Sequence, residues 1–310
     1  MEGLMNFVAM QGAVAQGVLW GIMVLGVYIT YRLLNISDLT VDGSFALGGC
    51  VCATLIINFG MDPVLALVIA AIAGMLAGAA TGILHTVLEI PAILAGILTQ
   101  ISLWSVNLRI MGGKSNLPLL KLETLISGVG DNFGITQAQA SMIVGVIIAL
   151  MLIAVLYWFF GTELGSALRA TGNNEDMIRA LGVDTNKMKL LALMLANGLV
   201  ALSGALVCQH QKYADINMGR GAIVIGLAAI VIGEVLMNKL ENFGMKLASV
   251  VIGSIVYFLI RAIVLDFGLN TNDMNLFTAL FVAAALSIPV MMAKAQAKRA
   301  YSETGEEDEA

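Results

Sequence analysis

Apolar segments of about 20 residues recur from one end of this 310-residue chain to the other, and each is long enough to cross a hydrocarbon core of about 30 Å. Charged residues make up 12%, about half the usual share of a soluble protein, and the mean hydropathy is +0.91. A soluble helical protein of this size would lack the charges to cover its surface. Within lipid every backbone polar group must be satisfied internally, which leaves helices or closed barrels. The short alternating strands of a barrel are absent from the sequence, so the fold class expected is an all-α polytopic membrane protein. We read about nine transmembrane helices (8–10), at roughly 17–34, 43–59, 63–85, 90–108, 141–160, 188–209, 221–237, 246–264 and 275–292. Residues 1–16 are apolar but too short to span, and fit an interfacial helix or the remnant of a further crossing. The start, MEGLMNFVAMQ, lacks the basic region and cleavage site of a signal peptide.

Lys and Arg set the orientation. With the C-terminus inside, the inner loops collect Arg32, Arg169, Arg179, Lys187, Lys189, Lys239, Lys246, Lys294, Lys298 and Arg299, and the outer loops collect Arg109, Lys114, Lys121, Lys212 and Arg220. The chain therefore divides into a transmembrane domain, 1–292, and a charged cytoplasmic tail, 293–310, whose end SETGEEDEA holds much of the net charge of −5. An odd number of crossings places the N-terminus outside, and the loop from about 109 to 140 is outside as well. Gly74, Gly78 and Gly82 lie on one helix face, as do Gly17 and Gly21, and small residues at this spacing predict close helix packing.

Two apolar segments are interrupted in a related way, at Asn35 to Ser44 and between Gln209 and Gly221. Their entering helices run in opposite directions in this topology. That pattern suggests an inverted repeat, and transporters often place a site where such repeats meet.

Between long apolar runs lies a polar island, RATGNNEDMIRALGVDTNKMK, residues 169 to 189. Asn173 or Asn174 can cap a helix with Glu175 and Asp176 in its first turn, where the helix dipole favours negative charge. Gly182 can end it in the left-handed conformation. The expected helix, Asn174 to Leu181, is too short to be stable alone. Met177, Ile178 and Leu181 are expected on one side, with Arg179 and the acids on the others. Such a knob suits a groove on a partner, and equally a loop helix packed on its own protein.

The stretch TELGSALRATGNNEDMIRALGVDTNKMKLLALMLANGLVALSGAL, from Thr162, resembles permease subunits of bacterial ABC importers, those of branched-chain amino acids and ribose. The pattern is an Arg-Ala pair (Arg169, Ala170), an Asn (Asn174), Ala-Leu-Gly (Ala180, Leu181, Gly182) and a small-residue patch from Leu202 to Leu206. LNISDLTVDGSFALGG, from Leu34, is similar to a subgroup paired with tryptophan- or tyrosine-type binding proteins, in which the run Asp38 to Gly43 is a hallmark.

The resemblance implies a permease of the bacterial inner membrane moving a small solute, an aromatic or hydrophobic amino acid, by alternating access. The short cytoplasmic helix, in a loop of about 162–187, would be a coupling helix for a separate ATPase subunit. Arg169, Asn174, Glu175, Met177, Ile178, Arg179, Leu181 and Gly182 would make the coupling region. The implied partners are that ATPase, an extracytoplasmic solute-binding protein and a second permease copy in a homodimer. No cofactor is expected on this chain, with ATP and Mg on the ATPase, and no enzyme activity of its own. In keeping with this, "GKS" at Gly113, Lys114 and Ser115 is not a P-loop, because the Gly required five residues before Gly113 is Leu108.

For the substrate path the sequence offers Asp38, Asp42 and Ser44 in the first interruption, where helix capping or gating competes with solute contact. Thr99, Gln100, Ser102 and Asn107 form a polar stripe on the fourth crossing, either pore lining or inter-helix bonding. Asn197 and Ser203 are of the same kind. Glu234, close to Lys239, is expected in a structural ion pair, and Arg261 and Asp266 are expected to pair or snorkel. His85, His210 and the cysteines Cys50, Cys52 and Cys208 form no ligand cluster, so no metal site is expected, and nothing suggests nucleic acid. The alternative readings are an ATP-independent secondary transporter or channel, and a membrane partner that does not transport.

Overall fold

The structure, a computed structural model, describes residues 2–120, 122–237 and 242–266, with isolated positions between 276 and 287. The side chains of residues 2–8 lie outside that description. Eleven helices are present among the described residues: α1 (Glu2–Tyr28), α2 (Thr40–Phe59), α3 (Pro63–Thr86), α4 (Ala92–Ile110), α5 (Leu125–Phe133), α6 (Gln137–Phe160), α7 (Glu163–Asn173), α8 (Glu175–Ala180), α9 (Thr185–Gln211), α10 (Ala222–Leu236) and α11 (Phe243–Asp266). A two-stranded antiparallel ribbon joins β1 (Asn116–Pro118) to β2 (Tyr213–Asp215), with Leu117 opposite Ala214.

Seven helices are long and apolar enough to cross a membrane. The first eight expected crossings each coincide with a helix, and the ninth, 275–292, falls with the tail 293–310 outside the described residues save for isolated positions. Two expectations are corrected. Residues 2–16 are neither an interfacial helix nor a separate crossing; they continue without a break into α1, which ends in a π-helical turn, Ile29–Leu33. And α10 has 15 residues, which at about 1.5 Å per residue gives about 22 Å, short of a 30 Å core. The chain reaches its start by an irregular segment, 216–221, that follows β2.

Helix α9 is central. It packs against α1, α2 and α3, while α11 packs against α1 and α10. Its neighbours approach through glycine, as the spacing predicts. A methyl added to Gly74 or Gly78 would run into the backbone carbonyls of Asn197 and Leu193, and one on Gly82 into Leu190. Gly17 and Gly21 serve α11 likewise: an added methyl would lie 2.7 Å from Ile255 Cα and 2.9 Å from Val251 Cγ1 respectively. Trp20 of α1 packs on Phe45 and Phe258, with ring centroids 4.6 and 5.4 Å away.

Polar side chains fasten the same core. Ser203 donates to Leu19 O (2.7 Å), and Ser254 to Gly17 O (2.8 Å). Gln209 accepts from Leu125 N (2.9 Å) and donates to Pro63 O (3.1 Å), so one side chain joins α9, α5 and the start of α3. His210 lies 2.6 Å from Ser141 Oγ, and His85 contacts Ile90 O at 2.9 Å. The three cysteines are buried and free.

Candidate functional site

Two regions carry the polar chemistry. The first is where the two interrupted segments meet. Asp38 is 2% exposed and bridges helices. One carboxylate oxygen accepts from Thr40 N at 2.9 Å and the other from Asn197 Nδ2, in the middle of α9, at 2.7 Å. Thr40 in turn contacts Thr81 of α3, Oγ1 to Oγ1, at 2.7 Å. A buried carboxylate is tolerated only with such partners. Asp38 thus acts as a strut between α2 and α9.

Asp42 does not cap its own helix, as its place before Gly43 and Ser44 suggests. It lies inside the first turn of α2 and caps α10, accepting from Gly221 N (2.9 Å) and Ile223 N (3.0 Å). Gly221 adopts φ +76°, and a methyl on Gly219 would strike the Asp42 carbonyl. The first amides of a helix have no intrahelical acceptor, and those of α10 begin inside the bundle, where an unpaired donor is costly. The Asp42→Ala variant should therefore lose about 2–6 kcal/mol, from two uncapped amides at about 1–3 kcal/mol each. Asp42→Asn, which keeps one acceptor, should lose less. Melting of the two variants in mild detergent checks this, and equal melting temperatures in both would sink the capping role.

Beside this cap, a cavity of about 320 Å³ runs along α4, lined by Asp42, Gln100, Trp104, Asn107, Asn217 and Arg220 among others. Of the expected path residues, Asp42, Gln100 and Asn107 line it. The others do not. Thr99 bonds back to Ala95 O of its own helix (3.0 Å), and Ser102 to Leu98 O (2.8 Å). Ser44 is fully buried with no partner for its hydroxyl among the described residues. Ser203 and Asn197 serve the packing described above. Trp104 and Arg220 line it too, and neither stands out in the sequence: Trp104 reads as one more apolar residue of a crossing, and Arg220 as one outer-loop charge among several.

The second region is the polar island. It contains a helix before the expected one: α7 is capped by Thr162, which accepts from Gly165 N (3.3 Å). Asn174, not Asn173, caps α8, accepting from Met177 N at 3.0 Å. Gly182 follows with φ +85°. Glu175 is the hub. Its two oxygens accept from Lys189 Nζ (2.6 Å), Arg179 (2.7 Å) and Thr185 Oγ1 (3.1 Å), which clasps α8 to the start of α9. Arg169 is exposed on α7, its guanidinium 4.8 Å from the centre of the Phe243 ring.

The expected three-residue knob is corrected. Met177 and Leu181 are exposed (52% and 71%), but Ile178 is 6% exposed and faces its own protein. Adjacent helical residues point about 100° apart, whereas residues four apart nearly coincide. The clasp turns Ile178 inward and leaves Met177 and Leu181 as the outward pair.

The Lys189 ammonium, bonded to Glu175, holds that carboxyl below the ordinary glutamate range, with Thr185 and Arg179 adding to the effect. A depressed carboxyl contributes stability that is complete above about pH 4.3 and is lost as pH falls through the lowered value. Melting temperatures between about pH 5 and 3 should therefore fall less in Glu175→Gln than in the parent protein. The groups are largely exposed, so the difference is small and shrinks with salt. Identical slopes would remove Glu175 as the hub.

Among the described residues Glu234 pairs with an arginine. Lys239 lies outside the described residues, and Glu234 takes both Nε and a terminal nitrogen of Arg32 at 2.6 and 2.5 Å, joining α10 to the end of α1. The guanidinium of Arg261 lies 5.8 Å from the Phe258 ring centre. Between Arg261 and Asp266 no ion pair forms.

Comparison with known proteins bears on this arrangement. The family model for the permease component of branched-chain amino acid transport systems matches residues 9–286. A tyrosine transport system permease protein of Clostridioides difficile (strain R20291) is 38% identical over 272 residues, covering 88% of each chain. An uncharacterised protein, RP368, of Rickettsia prowazekii (strain Madrid E) is 35% identical, covering 86% of this chain and 92% of its own. The ribose import permease protein RbsC of Escherichia coli (strain K12) is 27% identical, covering 86% of this chain and 78% of its own. With a match across nearly its whole length, and seven helices among the described residues long and apolar enough to cross a membrane, the chain belongs to the family of branched-chain amino acid transport system permease components.

Proposed function

We propose that this chain is the membrane-spanning permease of an ATP-driven importer in a bacterial inner membrane, and that its solute is an aromatic or other hydrophobic amino acid. The family supports an importer subunit, and the relative named for tyrosine transport supports the solute class. ATP and Mg are held by a separate ATPase subunit, which seats on α8. A solute-binding protein delivers from the opposite face, and two copies of the permease pair as a homodimer. The C-terminus lies on the cytoplasmic side with α8.

One observation carries the coupling role: a six-residue helix, capped by Asn174 and clasped through Glu175, presents Met177 and Leu181 outward. A helix this short would not hold its shape unaided. Here it is fastened on one side and apolar on the other, which suits a groove.

The second reading, an ATP-independent transporter, needs a carboxylate free to take a coupling ion or proton. Asp38, Asp42 and Glu234 are each engaged by fixed donors, which favours the ATP-driven reading. Purification from the native membrane in mild detergent, with mass spectrometry of what accompanies the chain, tests the proposal. A stoichiometric P-loop ATPase is the expected companion. An abundant, folded protein that arrives without one would move the assignment to the second reading.

A further inference from the structure

The cavity along α4 holds a guanidinium whose donors its own walls do not engage. Asp42 is the one acidic side chain among its lining residues, and both of its oxygens are taken by the backbone of α10. Arg220 is the one basic lining residue, and it forms no ion pair among the described residues. Its planar fork of donors matches a carboxylate in two parallel hydrogen bonds.

Asn107 supplies an independent observation. It is 1% exposed, and its side-chain oxygen has no hydrogen-bond donor among the described residues. Buried acceptors are rarely left orphaned, and this one belongs to a residue that lines the cavity. Trp104, half exposed between Gln100 and Asn107 on α4, adds an indole face that can cover an apolar or aromatic group. A volume of about 320 Å³ sits at the small end of ligand pockets.

We infer that this cavity is a binding site for a zwitterionic α-amino acid: Arg220 takes the carboxylate, Asn107 Oδ1 takes the ammonium, and Trp104 covers the side chain. The site rests on the importer reading above and specifies where in the chain the solute is held. A sugar or a simple amine has no carboxylate to offer the guanidinium.

The test uses the whole transporter in proteoliposomes, permease with its co-purified ATPase and binding protein, with radiolabelled L-tyrosine as probe. The binding protein sets the apparent affinity for solute, so damage to the cavity appears in flux per ATP hydrolysed. Arg220→Gln and Asn107→Leu should each lower that ratio at least tenfold with ATP hydrolysis retained, and Arg220→Lys should restore part of it. Modification of Arg220 by phenylglyoxal in the unaltered protein, read by mass spectrometry, gives a second readout that needs no variant to fold. Millimolar L-tyrosine should protect Arg220, and tyramine, which lacks the carboxylate, should not. Flux ratios within twofold of the parent, or equal protection by tyramine, would overturn the site. ATP-coupled transport of ribose in place of tyrosine would overturn the ligand class and leave the importer reading standing. A permease with no ATPase would instead be the failure of that reading.

Discussion

Replacing Leu181 by Asp should abolish recruitment of the ATPase while the permease still inserts and folds. Leu181 is 71% exposed and lies four residues beyond Met177, itself 52% exposed. The pair therefore forms one apolar spot that touches little of its own protein. Burying a leucine in a partner's groove is worth about 1.5–3 kcal/mol, and forcing an unpaired carboxylate into the same place adds several kcal/mol of desolvation. A total of about 5 kcal/mol corresponds to a loss of three to four orders of magnitude in affinity. That is enough to empty the complex during purification. Folding should persist because α8 keeps its Asn174 cap, its inward Ile178 and the Glu175 clasp. Co-purification of parent and variant, with size-exclusion profiles of each permease, reads the two effects separately. Stoichiometric ATPase on the variant would end the assignment of α8 as the coupling helix.

The helical class and most of the helix positions were legible because each crossing is a long apolar run, and lipid leaves such a run no other structure. The glycine faces were legible for the same local reason: Gly74, Gly78 and Gly82 sit four apart, and all three meet α9. What the sequence hid is contact between distant parts. Asp42 stands where a residue could cap α2, and capping rules alone assign it there. Only the folded bundle brings the start of α10 to it, about 180 residues away in the chain. Glu234 shows the same limit: its partner among the described residues is Arg32, 202 residues away in the chain. In the island the helix, its cap and its glycine stop were all local, and so were readable. The direction of Ile178 was not, because it is set by the clasp from Glu175 to Lys189 on the next helix. Of the cavity, Gln100 and Asn107 belonged to a visible polar stripe, whereas Arg220 joins them only because 216–221 folds back against α2 and α4.

The contact between α2 and α9 leads to the other large effect: Gly204→Val should leave no folded, monodisperse protein in mild detergent. A methyl at Gly204 would overlap the backbone carbonyl of Phe45, and one at Gly48 would overlap that of Ala201. The obstacles are main chain on both sides, so no rotamer change relieves them and the helices must part. In lipid the attraction between helices depends on such close approach. Separation also pulls on Asn197–Asp38 (2.7 Å) and Gln209–Cys52 (3.4 Å), which span the same two segments. Overpacking of this kind costs about 1–3 kcal/mol per site when side chains can yield, and each hydrogen bond lost adds about 0.5–1.5 kcal/mol. With rigid backbone as the obstacle, the sum approaches the stability of a whole domain, about 5–15 kcal/mol. Gly12→Ala is the matched control, since nothing lies within 4 Å of the added methyl and α1 is helical there. That variant should elute and melt like the parent. A Gly204→Val protein that did the same would mean that α2 and α9 do not pack through these glycines, and the positions of Asp38 and Asp42 would fall with that contact.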